Sequence, residues 1–364
     1  MKAVIPCAKK KDSLFPFSET KPTALMPVMG RPLVRHLIEG LMDAGVDETY
    51  LVVNHLESEF REEFKEDDSV ELVVQEDLNG TGGAVEECGF LDDDFLVVNG
   101  DVIVSDRDLK RLLDSHRRGG EEVTMLATDD SSPEKWGVLS ITNDMVQDLV
   151  EKPEEPENTL VNTGIYAFSP EIFDVLEGME GDKSLTDAVK QLMGEETRFE
   201  LVQDYWIDIG SPKKLRRADR VLRESIEGNN IHPGAEIHDT AEILGDVVVE
   251  EGAVLKPGAV VEGPAYIGKD SRIGPHASVR SSTVCGDSEL DSCTVRNSLL
   301  FENNIIDPHT HVEHTVLGEG CDLKSGSVVR NSFIGADSFI DMNNSIRGMK
   351  FVPDARTDLS EISK

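Results

Sequence analysis

An α/β domain with a mostly parallel sheet, followed by a parallel β-helix, is the fold this sequence predicts. Two observations carry it. Up to about Arg223, short apolar runs alternate with segments whose apolar residues recur at helical spacing. After SIEGNN, aliphatic residues recur at every sixth position. Alternation of the first kind implies β-α-β units, with parallel strands covered by helices. A six-residue aliphatic period implies short strands stacked coil upon coil, with the repeated side chain pointing inward.

In chain order, KAVI, TYLVVN, VELVVQ and FLVVNG read as strands, and RPLVRHLIEGLMDAG, ESEFREEFKE and GTGGAVEECGF as the helices between them. Such sheets bind ligands beyond the carboxyl ends of their strands. Further on, Ile237, Ile243, Val249, Leu255, Val261, Ile267, Ile273 and Val279 form the uninterrupted six-residue row. Its register slips near Cys285 and resumes with Leu317, Leu323, Ile334, Ile340 and Ile346. The expected division is an α/β domain over 1–225, a linker over 226–231, the repeat domain over 232–346, and a polar, frayed tail over 347–364.

The 364 residues carry 71 Asp+Glu against 36 Lys+Arg, a net charge of −35. That field repels nucleic acid and anionic membranes, so neither is an expected partner. It also fits a protein kept soluble at very high salt, where screening removes self-repulsion; melting across a KCl series is expected to show stabilisation by molar salt. The five cysteines include no C-x-x-C pair and read as reduced thiols. No apolar run approaches a membrane span, and Met1 leads directly into a strand, which argues against a signal peptide. A cytoplasmic protein is expected.

Several strand ends carry polar residues that packing does not explain. FLVVNGD puts Asp101 just after an apolar strand, and YWIDIGSP puts Asp208 inside an apolar stretch, where an unpaired carboxylate is expensive. Two carboxylates at strand ends suit a hard cation such as Mg²⁺, completed by substrate phosphates; a turn Asp and a helix N-cap Asp are the plainer alternatives. VQEDLNGTGGAVEE reads as a strand, a turn at Gly80 and Thr81, and a glycine-rich helix start, with Gln75 offering an amide to a base edge. VEKP delivers Glu151 and Lys152 after another strand, and NTGIYAF supplies Asn162. Lysine can neutralise phosphate charge, although most surface lysines are simply solvated.

Through KPTALMPVMGRPLVRHLIEGL, NGTGGAV, FLVVNGD, VEKP, NTGIY and WIDIGSP, in this order, the chain resembles the sugar-1-phosphate nucleotidylyltransferases, two-domain type. The resemblance covers nearly the whole chain and implies a Rossmann-like nucleotidyltransferase domain with a left-handed β-helix behind it. It implies transfer from a nucleoside triphosphate to a sugar 1-phosphate, with release of pyrophosphate. Asp101 and Asp208 would hold Mg²⁺, Lys21 would contact the triphosphate, and Lys152 the sugar phosphate. Gln75, Gly80 and Thr81 would hold the base, while Gly137, Glu151 and Asn162 would grip the sugar. A glutamine at the base position is similar to uridylyl and thymidylyl members, which favours UTP or dTTP.

One segment departs from the pattern. The family's first-strand loop reads L-A-A-G-x-G-T-R-L-x-P, where this chain has PCAKKKDSLFP: Lys9 and Lys11 stand at the glycine positions, Asp12 at the threonine and Ser13 at the arginine. Lys9, Lys10 and Lys11 would then bind phosphate by side chain where the family uses backbone, or the chain is a catalytically impaired relative that binds nucleotide as a regulatory subunit. The stretch DPHTHVEHTVLGEG resembles the acetyltransferase region of some two-domain relatives through Pro308 and His309, with His309 as the possible base; surface histidines at solenoid corners are the plainer reading, and a metal site from His309, His311 and His314 a third. The open faces of a solenoid suggest a homo-oligomer, or a hetero-oligomer with an active paralogue.

Overall fold

The computed structural model describes residues 1–9, 11–143, 145–194 and 197–357. Lys10, one of the three loop lysines, lies outside the described residues, as does 358–364 of the expected tail. The strands before the repeats are β1 (Lys2–Pro6), β2 (Pro27–Val28), β3 (Arg31–Pro32), β4 (Glu48–Val53), β5 (Val70–Val74), β6 (Phe95–Val98) and β7 (Val102–Val104). They continue with β8 (Val123–Asp129), β9 (Gly137–Thr142), β10 (Met145–Glu151), β11 (Leu160–Phe168), β12 (Arg198–Leu201) and β13 (Trp206–Asp208). The helices are α1 (Leu33–Ala44), α2 (Glu57–Glu63), α3 (Thr81–Glu86), α4 (Asp106–Gly119), α5 (Ile172–Glu177), α6 (Leu185–Leu192) and α7 (Pro212–Glu224).

The chain folds as two compact units, and the division is not a single cut. The first contains 1–10, 22–25 and 33–208; the second contains 11–21, 26–32 and everything from Ile209 onward.

In the first unit, β5, β4, β1 and β6 lie side by side and parallel. Beyond β6 the sheet changes sense: β11 runs antiparallel to β6, β8 and β9, and β9 and β10 form an antiparallel hairpin. The sheet is therefore mixed: parallel from β5 to β6, antiparallel around β11, and parallel again where β12 pairs with β8. Alternation decides which face each residue enters. Ala3, Ile5, Leu51, Val53, Leu96 and Val98 join one core with the apolar stripes of α1 and α4. Val4, Tyr50, Val52, Phe95 and Val97 join another, with α3, α5 and α6. Burial on both faces is why these strands read as continuous apolar runs.

In the second unit, three parallel sheets of eight, seven and seven strands surround one aliphatic core. The row that seemed to break near Cys285 does not break. Ile273 pairs with Leu290, Leu290 with Ile306, and Ile306 with Leu323. The corners shorten instead: Val261 to Val279 spans 18 positions, Val279 to Val295 16, and Val295 to Val312 17. Ser281, Asn297, His314 and Asn331 turn one such corner with positive φ of 45°, 47°, 52° and 49°. Behind them Ser282, Ser298, Thr315 and Ser332 are fully buried. Each hydroxyl accepts the backbone N–H of the next coil, at 3.1, 3.2, 3.4 and 3.2 Å, so the corner satisfies its own polar groups.

Both ends of the repeat domain reach further than expected. Asn229–Ile231, placed in the linker by the sequence, already pairs with Val247–Val249. At the other end the tail is not frayed through Thr357: Lys350–Phe351 pairs with Phe333–Ile334, and Thr357 N–H bonds to the Phe339 carbonyl at 3.0 Å. Phe351 continues the inward row and packs on the core.

Candidate active site in the first unit

The turn after β5 is built around Gln75, which is 2% exposed. Its Nε2 donates to Asn79 Oδ1 at 3.0 Å and to the Gly80 carbonyl at 3.2 Å. This commits the amide N–H groups to the turn and reserves the oxygen as an acceptor. Gly80 has φ +103°, and a Cβ there would stand 2.5 Å from the Lys183 carbonyl and from Asp182 Oδ1. No other residue fits without moving that loop. The Gly82 N–H goes to the Lys183 carbonyl at 2.8 Å, so part of the donor set at the start of α3 serves the fold. Thr81 opens α3 and is exposed.

Asp101 and Asp208 stand at the same end of one short ladder. β13 pairs antiparallel with β7, with Asp208 opposite Val102, and Asp101 is the residue just before Val102. Both are half-buried. The N-cap alternative for Asp208 is settled by α7, whose cap is Ser211, with Pro212 following. Beside Asp101 lies Cys7: burial, and then the Asp101 charge, push its thiol well above the ordinary range. Asp101 therefore stands near the carboxyl end of β1, where a parallel sheet offers its ligand site.

The residues expected to grip a sugar also come together. Gly137 pairs with Glu151, and a Cβ on Gly137 would lie 3.1 Å from Glu151 Oε2 and 3.7 Å from Asn162 Cβ. Asn162 is held by the Gly164 N–H, which donates to its Oδ1 at 3.1 Å, and by the Tyr166 hydroxyl. Burial is the main cause of the Tyr166 phenol being pushed up to about 12. Lys152 has φ +47° and pairs with Glu151 at 3.3 Å, with its side chain 66% exposed.

Two residues missed in the sequence connect these groups. Trp136 and Trp206 meet edge to face, with ring centroids 5.3 Å apart. Trp206 lies two positions before Asp208, and the Trp136 carbonyl accepts the Lys152 N–H at 2.8 Å. The indole N–H of Trp206 is buried and has no hydrogen-bond partner among the described residues. They are the chain's only tryptophans; Trp136 directly precedes Gly137, and Trp206 lies within YWIDIGSP. That was the available signal.

The lysine loop behaves differently. Lys9 is exposed in the first unit; Lys11 precedes a short 3₁₀ turn, Asp12–Leu14, in the second. From there the segment belongs with the β-helix. Phe17 packs on Phe301 with centroids 5.3 Å apart, and Gly30 lies against the Tyr266 ring. The Met29 N–H donates to Asp219 at 2.9 Å, within a buried set that includes Arg223 and Thr283. Lys21, expected at the triphosphate, has its ammonium 3.2 Å from Glu319 and 3.6 Å from Glu302. Burial would lower its pKa, but the two carboxylates outweigh burial and raise it. The reason for this placement is electrostatic: two carboxylates on successive coils need a cation between them.

His309 and His314 are corner residues with φ +63° and +52°, and His311 lies on a strand. Among the described residues no group of three His, Cys, Asp or Glu is arranged to hold a metal ion. Also among them, no helix is long and apolar enough to cross a membrane.

Comparison with known proteins divides the chain by a single boundary, unlike the two compact units. Residues 10–225 match the nucleotidyl transferase family, and 246–281 match the bacterial transferase hexapeptide repeat. The chain is 33% identical over 340 residues to "Bifunctional protein GlmU" of Methanocaldococcus jannaschii, covering 91% of this chain and 81% of that protein. It is 29% identical to the "Bifunctional sugar-1-phosphate nucleotidylyltransferase/acetyltransferase" of Sulfurisphaera tokodaii, over 91% of this chain and 82% of the relative. A crystal structure from Bacillus anthracis, described as a glucose-1-phosphate thymidylyltransferase, aligns with TM-score 0.59 at 23% identity, covering 63% of this chain and 97% of the other; at that identity the likeness concerns the fold. By these matches the chain belongs to the nucleotidyl transferase family and carries a hexapeptide-repeat domain.

Proposed function

We propose that this chain joins a nucleoside triphosphate to a sugar 1-phosphate. A phosphate oxygen of the sugar attacks the α-phosphorus, the bond to the β-phosphate bridge breaks, and pyrophosphate leaves. The observation that carries the reading is that both carboxylates stand at the same end of the β7–β13 ladder, Asp208 opposite Val102 and Asp101 just before Val102. Gly137, Glu151 and Asn162 are gathered in the same unit.

Such chemistry needs positioning and charge neutralisation more than covalent help from the protein. Asp101 and Asp208 are hard oxygen donors, and two carboxylates completed by phosphate oxygens are an ordinary Mg²⁺ set. The bound ion would offset charge on the reacting phosphates. Glu151 and Asn162 would orient the sugar hydroxyls, and Lys152, on an exposed side chain, would meet the sugar phosphate. Gln75, with its oxygen as acceptor, suits the ring N–H of uracil or thymine and disfavours cytosine, whose ring nitrogen is itself an acceptor. UTP or dTTP is the expected donor. The chain is assigned to the cytoplasm on its thiols, and to a homo-oligomer on its open solenoid faces.

Pyrophosphate release from a matrix of nucleoside triphosphates and sugar 1-phosphates, with Mg²⁺ at molar KCl, tests the proposal. One productive pair, with UTP or dTTP, is expected. A second reading, an impaired relative acting as a nucleotide-binding regulatory subunit beside an active paralogue, is favoured by Lys21 being engaged by Glu302 and Glu319. It predicts nucleotide binding by calorimetry with no productive pair. Acetyl-CoA consumption with an amino-sugar 1-phosphate would test His309 as an acetyltransferase base.

A further inference from the structure

The structure assigns Asp108 as a positioning residue that sets how Asp101 and Asp208 stand relative to each other. The assignment rests on the reading of those two carboxylates as a metal-binding pair.

Asp108 lies in the first turn of α4 and is fully buried. A buried carboxylate is tolerable only when its lone pairs are taken up. The Ser105 hydroxyl donates to it at 2.9 Å, the Gln203 N–H at 3.0 Å and the Asp204 N–H at 3.2 Å, and the Arg111 guanidinium completes the set. Ser105 in turn accepts the Asp108 N–H at 3.1 Å.

That last exchange is a helix cap, and a cap needs nothing more. Two of the remaining bonds reach a segment 95 and 96 positions away. Arg111 also donates to the Leu201 carbonyl at 2.7 Å, and the Ser105 N–H to the Tyr205 carbonyl at 3.3 Å. The first turn of α4 thus holds the backbone from Leu201 to Tyr205, which leads into β13. Ser105 is the residue directly after β7. One carboxylate grips the exit of β7 and the entry to β13 together.

This matters because the β7–β13 ladder has only three residue pairs. So short a ladder specifies its register weakly, and a slip of one residue turns every side chain to the opposite face. The grip on Gln203 and Asp204 supplies the register that the ladder lacks. Asp208 is thereby kept opposite Val102, the residue that follows Asp101.

Asp108→Asn keeps the shape but turns one acceptor into a donor facing existing donors, and it removes the partner of Arg111. The test is Mn²⁺ binding in the presence of UTP, read by electron paramagnetic resonance at molar KCl, with Asp101→Asn as the background. Asp108→Asn is expected to weaken Mn²⁺ binding about tenfold, with metal-free UTP affinity by calorimetry unchanged within about twofold. Ser105→Ala, a milder change, should move Mn²⁺ affinity in the same direction and guards against misfolding of the first variant. If both variants melt lower yet bind Mn²⁺ like the wild type, Asp108 only stabilises and the assignment is wrong. If wild type binds no more Mn²⁺ than Asp101→Asn, the metal-site reading itself falls, and the assignment with it.

Discussion

Polar residues gather at the corners of the β-helix, where they are buried, and at the strand ends of the α/β unit, where burial varies, and the two sets are organised differently. At the corner, Ser282, Ser298, Thr315 and Ser332 repeat one arrangement, each hydroxyl taking the N–H of the next coil. At the strand ends, Gln75, Asp101, Glu151, Asn162 and Asp208 come from separate segments with no common spacing. Repetition closes its hydrogen bonds within itself and yields architecture. Gln75 and Asn162 also hold local bonds, but no repeat accounts for the five together, and function is the reading proposed for the set.

The comparison can be broken most directly at the strand ends. Asp208→Asn should lower kcat by about 10²–10³-fold and shift the melting temperature little; steady-state rates and a thermal melt measure both. At the β-helix the expected pattern reverses. Leu300→Ala, in the fully buried aliphatic row, should cost about 2–5 kcal/mol in denaturant unfolding while leaving kcat of the folded enzyme unchanged. Gly80→Ala forces a Cβ into the Lys183 carbonyl, and calorimetry should show nucleotide affinity about tenfold weaker.

Lys21 sharpens the contrast, because its motif suggests chemistry and its contacts suggest structure. Lys21→Met leaves Glu302 and Glu319 without their shared cation and should cost about 1–2 kcal/mol, with nucleotide affinity unchanged. Because its pKa is raised in the fold, that stability is present below about 10.5 and is lost as pH rises through the higher folded value. Denaturant titrations from pH 9 to 11.5, compared with the variant, measure it. A large loss of nucleotide affinity in Lys21→Met would restore the lysine to the triphosphate.

Much of the fold was legible because it is periodic. KAVI, TYLVVN, VELVVQ and FLVVNG are β1, β4, β5 and β6, and the six-residue row is the β-helix core. Asp101 and Asp208 stand out in the sequence because a charge at an apolar run is itself a signal. What escaped depends on partners distant in sequence. Nothing local in FPFSETK says that Phe17 packs on Phe301 or that Lys21 meets Glu319. The antiparallel half of the sheet escaped for the same reason, since β11 reads equally well beside either neighbour. Loss of a residue or two at successive corners shifted the apparent period after Cys285 while the ladders continued in space.

The central claim is that Asp101 and Asp208 act as one pair in nucleotidyl transfer. It is tested most directly by the Mg²⁺ dependence of pyrophosphate release for wild type, Asp101→Asn, Asp208→Asn and the double variant on one productive substrate pair. The prediction is that each single change removes about the same activity, that the double removes little more, and that the residual rate no longer responds to Mg²⁺. Independent, multiplying losses, or a residual rate that keeps the wild-type Mg²⁺ response, would contradict it.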